Sequence, residues 1–430
     1  MRRLRVLISS HEFKPYAGSE RAVGWNIVTQ MAKFHDVTVL CADGPPGCPN
    51  SYRNAVSLYV EKQGAIPGLR VVFVEQPPMT LRYDSINSRL MVLTHGSGFQ
   101  PLLFLGLDGW HRAAYRAART LGFENFDVVH QLTPISFLSP GYLWRSGVPF
   151  FWGPISGMYK VPNAFARSGG LKSYLFQTLR SLNIDREVRS FRFKRVVRKA
   201  KRIWTVAQDE LKIIDRITGG TAVPMIDTAP PPAIAGFVRQ YDSTRPLKLC
   251  WSGRHIMIKA LPLLLHAIAH LPDPGRVVLN VLGEGPETKR WKVLAEKLSI
   301  PNITWLGLLP YHEALRSMGE SDVFVHSGIK EAASMVVLEA MAWGLPVICH
   351  DICGMAVAVD ERCGIKVPLE SPQQSIDGFH SAIEGLLRSP GLVEKLSEGA
   401  LVRASQLTWE AKVKEISEAY VHFADYGDGA

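Results

Sequence analysis

Lys330-Glu-Ala-Ala-Ser-Met-Val-Val-Leu-Glu-Ala-Met-Ala-Trp-Gly-Leu-Pro-Val-Ile348 follows the short apolar run Asp322-Val-Phe-Val-His326. Ser334 is a good N-cap, Met335 to Trp343 are strong or neutral helix formers, Gly344 suits the position just past a helix end, and Pro346 prevents continuation. These residues predict a helix of about nine residues, roughly 13 Å long, fed by a buried strand. Its N-terminus then stands at the carboxyl edge of a sheet, where unpaired N–H groups and the helix dipole favour a diphosphate or a sugar hydroxyl. Strand, loop, helix and a further strand, Pro346-Val-Ile-Cys349, in that order read as α/β with a parallel sheet.

The same alternation lies on the N-terminal side of this unit, in Leu247-Lys-Leu-Cys-Trp-Ser252, a helix from about Leu261, Val277-Val-Leu-Asn-Val-Leu282 and Ile303-Thr-Trp-Leu306. A separate series opens the chain. Leu4 to Ser9 reads as a buried strand, Ser19 to Phe34 as a helix and Val37 to Cys41 as a second strand. Strand-like runs recur at Arg70–Val74, Asp127–His130, Pro149–Trp152 and Arg202–Val206, with helical periodicity over Leu107–Leu121 and about Ser173–Lys201. Between the two series, Thr228-Ala-Pro-Pro-Pro232 and Tyr241-Asp-Ser-Thr-Arg-Pro246 are loop-like. A chain of 430 residues suits two domains. The expected division is 1–228, a linker at 229–246, and 247–408, with a helix at about 409–430 returning to the first domain. The fold class is thus two doubly wound, Rossmann-like domains facing across a cleft, where ligands meet the carboxyl ends of the strands.

Composition narrows the setting. The charged start Met1-Arg-Arg-Leu-Arg has too short an apolar run behind it for a signal peptide. No stretch approaches the roughly 18 continuous apolar residues of a membrane span; even Pro101-Leu-Leu-Phe-Leu-Gly-Leu107 is cut by Asp108. Cys41, Cys48, Cys250, Cys349, Cys353 and Cys363 are scattered, which suits reduced thiols in a cytoplasmic protein. Cys349 and Cys353 lack a second Cys or His pair at zinc-like spacing, so no metal site is expected.

Several residues carry chemistry. Glu331 precedes the N-cap and Glu339 lies about one turn into the helix, so one acid addresses the sugar end of a donor and the other a ribose. Ser334, Met335 and Val336 form the helix start that receives the donor. In Trp251-Ser-Gly-Arg-His-Ile-Met-Ile-Lys259, Arg254 and Lys259 stand after a strand, where two cations suit the charge that develops on a diphosphate leaving group. Gly283, in Leu282-Gly-Glu-Gly-Pro286, and Gly18, in Ala17-Gly-Ser-Glu20, admit close backbone approach to a nucleotide or its phosphates, with Ser19 as an N-cap. His130 closes the strand Asp127-Val-Val and is expected to point into the cleft for acceptor contact or proton transfer; His11 is a second candidate.

The Glu331/Glu339 spacing and Val337-Leu-Glu-Ala-Met-Ala-Trp-Gly-Leu-Pro-Val-Ile348 resemble the Glu-x7-Glu motif of retaining glycosyltransferases of family four, whose fold is GT-B. In that family the first acid contacts the donor sugar and the second the ribose. Where the family usually has Gly about two residues after the first acid, this chain has Ala333 and Ser334, and a Cβ there narrows the pocket. Pro15-Tyr-Ala-Gly-Ser-Glu20 and Trp152-Gly-Pro-Ile-Ser-Gly157 resemble a branch associated with bacterial surface polysaccharides. The resemblance implies a nucleotide-sugar donor as substrate and no cofactor. It also implies transfer with retention, a donor phosphate oxygen taking the acceptor proton while Arg254 and Lys259 replace a metal ion. The implied acceptor is a saccharide, in particular a lipid-linked one. The rival readings are a soluble transferase making a small glycoside, and a nucleotide-sugar-binding subunit without turnover.

The formal net charge of +10 resides in one segment. From Lys160 to Arg202 thirteen basic residues face only Asp185 and Glu187. Leu171, Tyr174, Leu175, Phe176, Leu179, Leu182, Phe191 and Phe193 are interleaved with them. This mixture suits a helix lying on an anionic membrane, hence peripheral attachment at the inner face of a cell membrane. No aromatic-basic motif points to nucleic acid. The alternative is that the apolar residues pack on the first domain and the charges are merely solvated.

Overall fold

The computed structural model describes residues 2–43, 51–93, 100–168, 170–231 and 234–426. The first half holds β1 (Arg5–Ser10), β2 (Asp36–Asp43), β3 (Leu69–Glu75), β4 (Val128–Thr133), β5 (Phe150–Ile155), β6 (Ala200–Thr205) and β7 (Ala222–Pro224). They form a parallel sheet in the order β3-β2-β1-β4-β5-β6-β7. The second half holds β8 (Leu247–Ser252), β9 (Val277–Leu282), β10 (Ile303–Gly307), β11 (Val323–His326), β12 (Val347–His350) and β13 (Gly364–Val367), in the order β10-β9-β8-β11-β12-β13. In both sheets the order reverses once, at β1/β4 and at β8/β11. Loops after those strands diverge to opposite faces, and the crevice between them receives ligands. The expected fold class is therefore found. β7 (Ala-Val-Pro) and β13 (Gly-Ile-Lys-Val) escape a sequence reading because they lack the apolar run that marks the equally short β11 and β12.

Helices cover both faces of each sheet. Parity along β4 shows how: Val128 and Leu132 join the apolar cluster of one face and Val129 that of the other. The helix Trp409–Tyr426 packs on the first half, and its Val413, Ile416 and Tyr420 join Val6, Ile8 and Phe151 in one apolar cluster. Each of these fully buried side chains contributes roughly 1.5–3 kcal/mol. Trp204 Nε1 donates to Glu415 Oε1 at 3.1 Å, and His35 Nε2 is 2.8 Å from Ser417 Oγ. Residues 427–430 of the expected terminal helix lie outside the described residues.

Two features of the chain path were not legible in the sequence. The segment 229–246 is not a free linker, because its later part is docked on the second half. Arg239 donates through its backbone to Ser397 Oγ at 2.7 Å and through its guanidinium to the Gly319 and Trp343 carbonyls at 2.6 and 2.8 Å. Arg245 grips Asp322 with both nitrogens, at 2.6 and 2.7 Å. Proline-rich composition marked irregular backbone correctly but says nothing of whether that backbone packs. The second point concerns the basic segment, which forms the helices Gly170–Arg189 and Phe191–Lys199. Phe193 is buried and Tyr174 half-buried, yet Leu171, Leu175, Phe176, Leu179, Leu182 and Phe191 are exposed. The apolar residues of this segment therefore do not pack on the first domain as a group. Cys41, Cys250, Cys349, Cys353 and Cys363 are free and buried; Cys48 lies outside the described residues. Among the described residues no helix is long and apolar enough to cross a membrane.

Candidate functional site

The carboxyl ends of β8 and β11 carry the site. After β8 the chain turns through Gly253 and Arg254 into the short helical turn Met257–Lys259. After β11 it runs through Ser327 to Ser334, then enters the helix Met335–Ala342. Three hydrogen bonds staple these segments: Trp251 Nε1 to Ser327 Oγ, Ser327 Oγ to the Lys259 carbonyl, and Ile329 N to the Ile258 carbonyl, each 2.9 Å. The staples fix the backbone from which Lys259 and Glu331 extend.

Lys259 Nζ donates to Glu331 Oε2, and His326 Nε2 lies 3.5 Å from the same oxygen. The lysine and glutamate side chains are 14% and 22% exposed, enough to meet a ligand while remaining little screened by water. Burial by itself raises a carboxyl, but the His326 contact and the Lys259 charge outweigh it, and Glu331 is held below the usual carboxylate range. Burial pushes His326 down, so its imidazole is neutral at pH 7. Next to Glu331, burial followed by the Arg180 guanidinium brings the Lys330 ammonium down to about 8. Arg254 is exposed at the rim of the same turn.

The helix Met335–Ala342 starts where expected, with Ser334 as its buried N-cap residue, but the Ser334 side chain makes no cap hydrogen bond. The first-turn N–H groups of Met335 and Val336, which a helix leaves unpaired, are then free of that side chain. Glu339, expected to reach a ribose, is 4% exposed and accepts the Tyr311 hydroxyl at 2.9 Å. Burial raises its carboxyl, and the tyrosine offsets part of that rise. Ala333, standing where a glycine was expected from the family pattern, packs against apolar clusters of both halves.

Gly283 has a reason other than the expected one. Its φ is +104°, and a Cβ there would lie 2.1 Å from the Gly253 carbonyl oxygen. The glycine lets the loops after β8 and β9 touch; approach of a nucleotide is not what demands it. Gly18 is exposed and a Cβ on it would meet nothing within 4 Å, so no protein neighbour requires glycine there. Ser19 stands at the N-cap of Glu20–Met31 with φ 58° and no cap hydrogen bond from its side chain. His11 lies after β1, its Nδ1 3.2 Å from Glu12 Oε1 and its ring edge-on to Trp110.

His130 does not point into the cleft. β4 continues to Thr133, which leaves His130 in mid-strand, on the face covered by Trp409–Tyr426, with no exposed surface. Its Nε2 donates to the Gly153 carbonyl at 2.7 Å, so the proton sits on Nε2 and Nδ1 accepts from the Tyr420 hydroxyl. With both nitrogens used and burial holding its pKa down at about 4, the ring joins the terminal helix to the first sheet.

Several residues near the site were not anticipated. His326 ends a strand that sequence reading recognised, and its place five residues before Glu331 was the available signal. Tyr311 gives no such signal, being 28 residues from Glu339. Asp227, in the crossing between the halves, is half-buried and pushed up to about 6, first by desolvation and with the Glu331 charge contributing. Glu20 of the first half is pushed up to about 7 by burial, then by the Glu12 and Asp227 charges. Asp227 thus feels the Glu331 charge of the second half, and Glu20, at the start of the helix Glu20–Met31, feels that of Asp227. A groove of about 1020 Å³ also runs between the halves, with Phe165 and Gln177 on one wall and Met257, Ile258 and Trp291 on the other.

Comparison with known proteins bears on the fold and on the relatives of the second half. Residues 240–402 match the family described as "Glycosyl transferases group 1". D-inositol 3-phosphate glycosyltransferase of Streptomyces bingchenggensis (strain BCW-1) is 31% identical over 198 residues, covering 42% of this chain and 40% of that protein. The chain thus aligns with less than half the length of the curated relatives it matches. Sucrose-phosphate synthase from Thermosynechococcus elongatus superposes with a TM-score of 0.63 at 16% identity, over 98% of this chain and 99% of that one. Lipopolysaccharide outer core galactosyltransferase WaaB gives 0.62 at 13% identity, over 97% and 99%. These likenesses show the GT-B fold along the whole chain.

Proposed function

We propose that this protein is a retaining, metal-independent glycosyltransferase of hexosyltransferase type, which moves a sugar from a nucleotide-diphosphate sugar to a hydroxyl acceptor. The observation that carries this reading is the meeting of Lys259, Glu331 and an N-terminus free of side-chain capping at the carboxyl edge of the second sheet, inside the segment that matches Glycosyl transferases group 1. The name of the Streptomyces relative, a glycosyltransferase, supports the reaction class.

In this reading the diphosphate lies over the first-turn amides of Met335–Ala342, with Arg254 and Lys259 taking the charge that develops as the anomeric C–O bond breaks. Glu331 faces the sugar and Glu339 the ribose. The acceptor oxygen bonds to the anomeric carbon on the side the nucleotide leaves, and its proton passes to the departing phosphate oxygen. Gly18 and His11 stand on the acceptor side of the cleft. The acceptor is a lipid-linked saccharide of bacterial surface-polysaccharide assembly, and the enzyme works in the cytoplasm, attached peripherally to the inner face of the membrane. The mixed apolar and basic surface of the first half supports that choice.

The test is a panel of nucleotide sugars with soluble and lipid-linked saccharide acceptors, scored by nucleotide release and by the anomeric proton coupling of the product. Retained configuration, with turnover lowered about 100-fold or more by Glu331→Gln, is expected. Inverted configuration, or a Glu331→Gln protein as active as wild type, overturns the mechanism.

A further inference from the structure

The helix Gly170–Arg189 leaves Leu171, Leu175, Leu179 and Leu182 exposed by 73%, 52%, 67% and 60%. Their spacing of four, four and three residues stacks them on one face of the helix. Phe191, which opens the next helix, is 79% exposed, and Arg195 and Lys199 follow it at successive turns on the same side. That side leads to a pocket of about 680 Å³ bounded by Arg145, Arg195, Lys199, Lys201 and Trp144, with no carboxylate among its lining residues. The Trp144 ring holds the Arg145 and Arg195 guanidinium groups over it at 4.7 and 5.5 Å. Among the described residues, Arg145, Arg195 and Lys199 form no ion pair. Val148, Pro149 and Phe150 also line the pocket, which puts it at the amino edge of the first sheet, away from the cleft.

We propose that this leucine ridge and this cationic pocket form one docking surface for a bilayer of anionic phospholipid. The ridge enters the headgroup boundary and the pocket holds a headgroup phosphate. Charge complementarity selects an anionic partner, and the four leucines select a lipid over a nucleic acid, which offers phosphates but nothing to cover an apolar ridge. Docking through the amino edge leaves the carboxyl-edge cleft open to donor and acceptor. The proposal rests on the functional reading only for the membrane it names. Vesicle binding is read without turnover, so failure of one idea is distinguishable from failure of the other.

The experiment sediments the full chain with phosphatidylcholine vesicles, with and without phosphatidylglycerol. Binding to the anionic vesicles, little to the neutral ones, and release by about 1 M salt are expected. Arg195→Glu/Lys199→Glu lowers binding about tenfold or more. Leu175→Ser/Leu179→Ser, at positions whose exposure spares the fold, also weakens it. Circular dichroism checks that each variant is folded. Glycerol phosphate in solution, which can enter the pocket but cannot cover the ridge, weakens vesicle binding without abolishing it. Equal partition to both vesicles, none to either, variants that bind like wild type, or release by glycerol phosphate alone would each overturn the docking surface.

Discussion

Lys259 Nζ and His326 Nε2 approach the same oxygen of Glu331, one by donation and the other at 3.5 Å, so the ends of β8 and β11 are tied through a single carboxylate atom. The tie spans the point where strand order reverses, and it presents the lysine already placed for an anion. In the proposed reading a diphosphate that draws on Lys259 would share it with Glu331, and Arg254 stands exposed beside them.

Removing either end of the proposed donor site is expected to cost binding. Lys259→Ala and Glu339→Ala each weaken nucleotide-sugar binding or turnover at least about tenfold, equivalent to about 1.4 kcal/mol. Tyr311→Phe, which keeps the Glu339 carboxylate and removes only the hydroxyl it accepts, changes affinity far less. Calorimetric titration of the folded proteins decides it, and a Glu339→Ala variant within twofold of wild type would end the ribose assignment.

The same pair has a stability signature. Lys259→Met strands the partly buried Glu331 without its cation and destabilises the fold by about 1–3 kcal/mol. Lys259→Met/Glu331→Gln removes the stranded charge and recovers most of that loss. Urea midpoints of both variants measure the coupling; additive losses would show that the pair is not energetically joined.

Acid stability follows from His130. Its folded-state pKa, about 4, lies below the ordinary histidine value of about 6.5, so below that value the unfolded chain binds the extra proton more readily. The stabilisation is complete above about pH 6.5 and is lost as pH falls towards about 4, amounting to about 2 kcal/mol at pH 5. His130→Gln, compared with wild type at pH 7.5 and pH 5, should show a smaller acid-induced fall in urea midpoint. An equal fall would show that the buried imidazole protonates without penalty.

Turnover should survive excess EDTA, because Arg254 and Lys259 carry the positive charge assigned to leaving-group stabilisation. Loss of activity that a divalent ion restores would transfer that role to a metal.

How much was legible depends on the range of the forces involved. Leu247 to Ser252 reads as a strand and is one to the residue, and Met335, Gly344 and Pro346 mark a helix start and stop that the structure reproduces to within a residue. Gly283 was legible as a required glycine but not in its cause, since the Gly253 carbonyl that excludes a side chain comes from another loop. The docked backbone around Arg239 was illegible because a proline-rich segment has the same composition whether it packs or not.

The sequence by itself determined the two parallel sheets and the position of Glu331, Glu339, Arg254 and Lys259 relative to their strand and helix ends. Alternation, caps and stops act over a few residues and are written in order along the chain. Only the tertiary structure decided that Lys259 meets Glu331, that Tyr311 meets Glu339, and that His130 turns away from the cleft to Tyr420, 290 residues distant. Those outcomes depend on which surfaces pack together. A strand that runs three residues past its sequence signal, covered by a helix from the far end of the chain, buries a histidine that local rules had placed at an open edge.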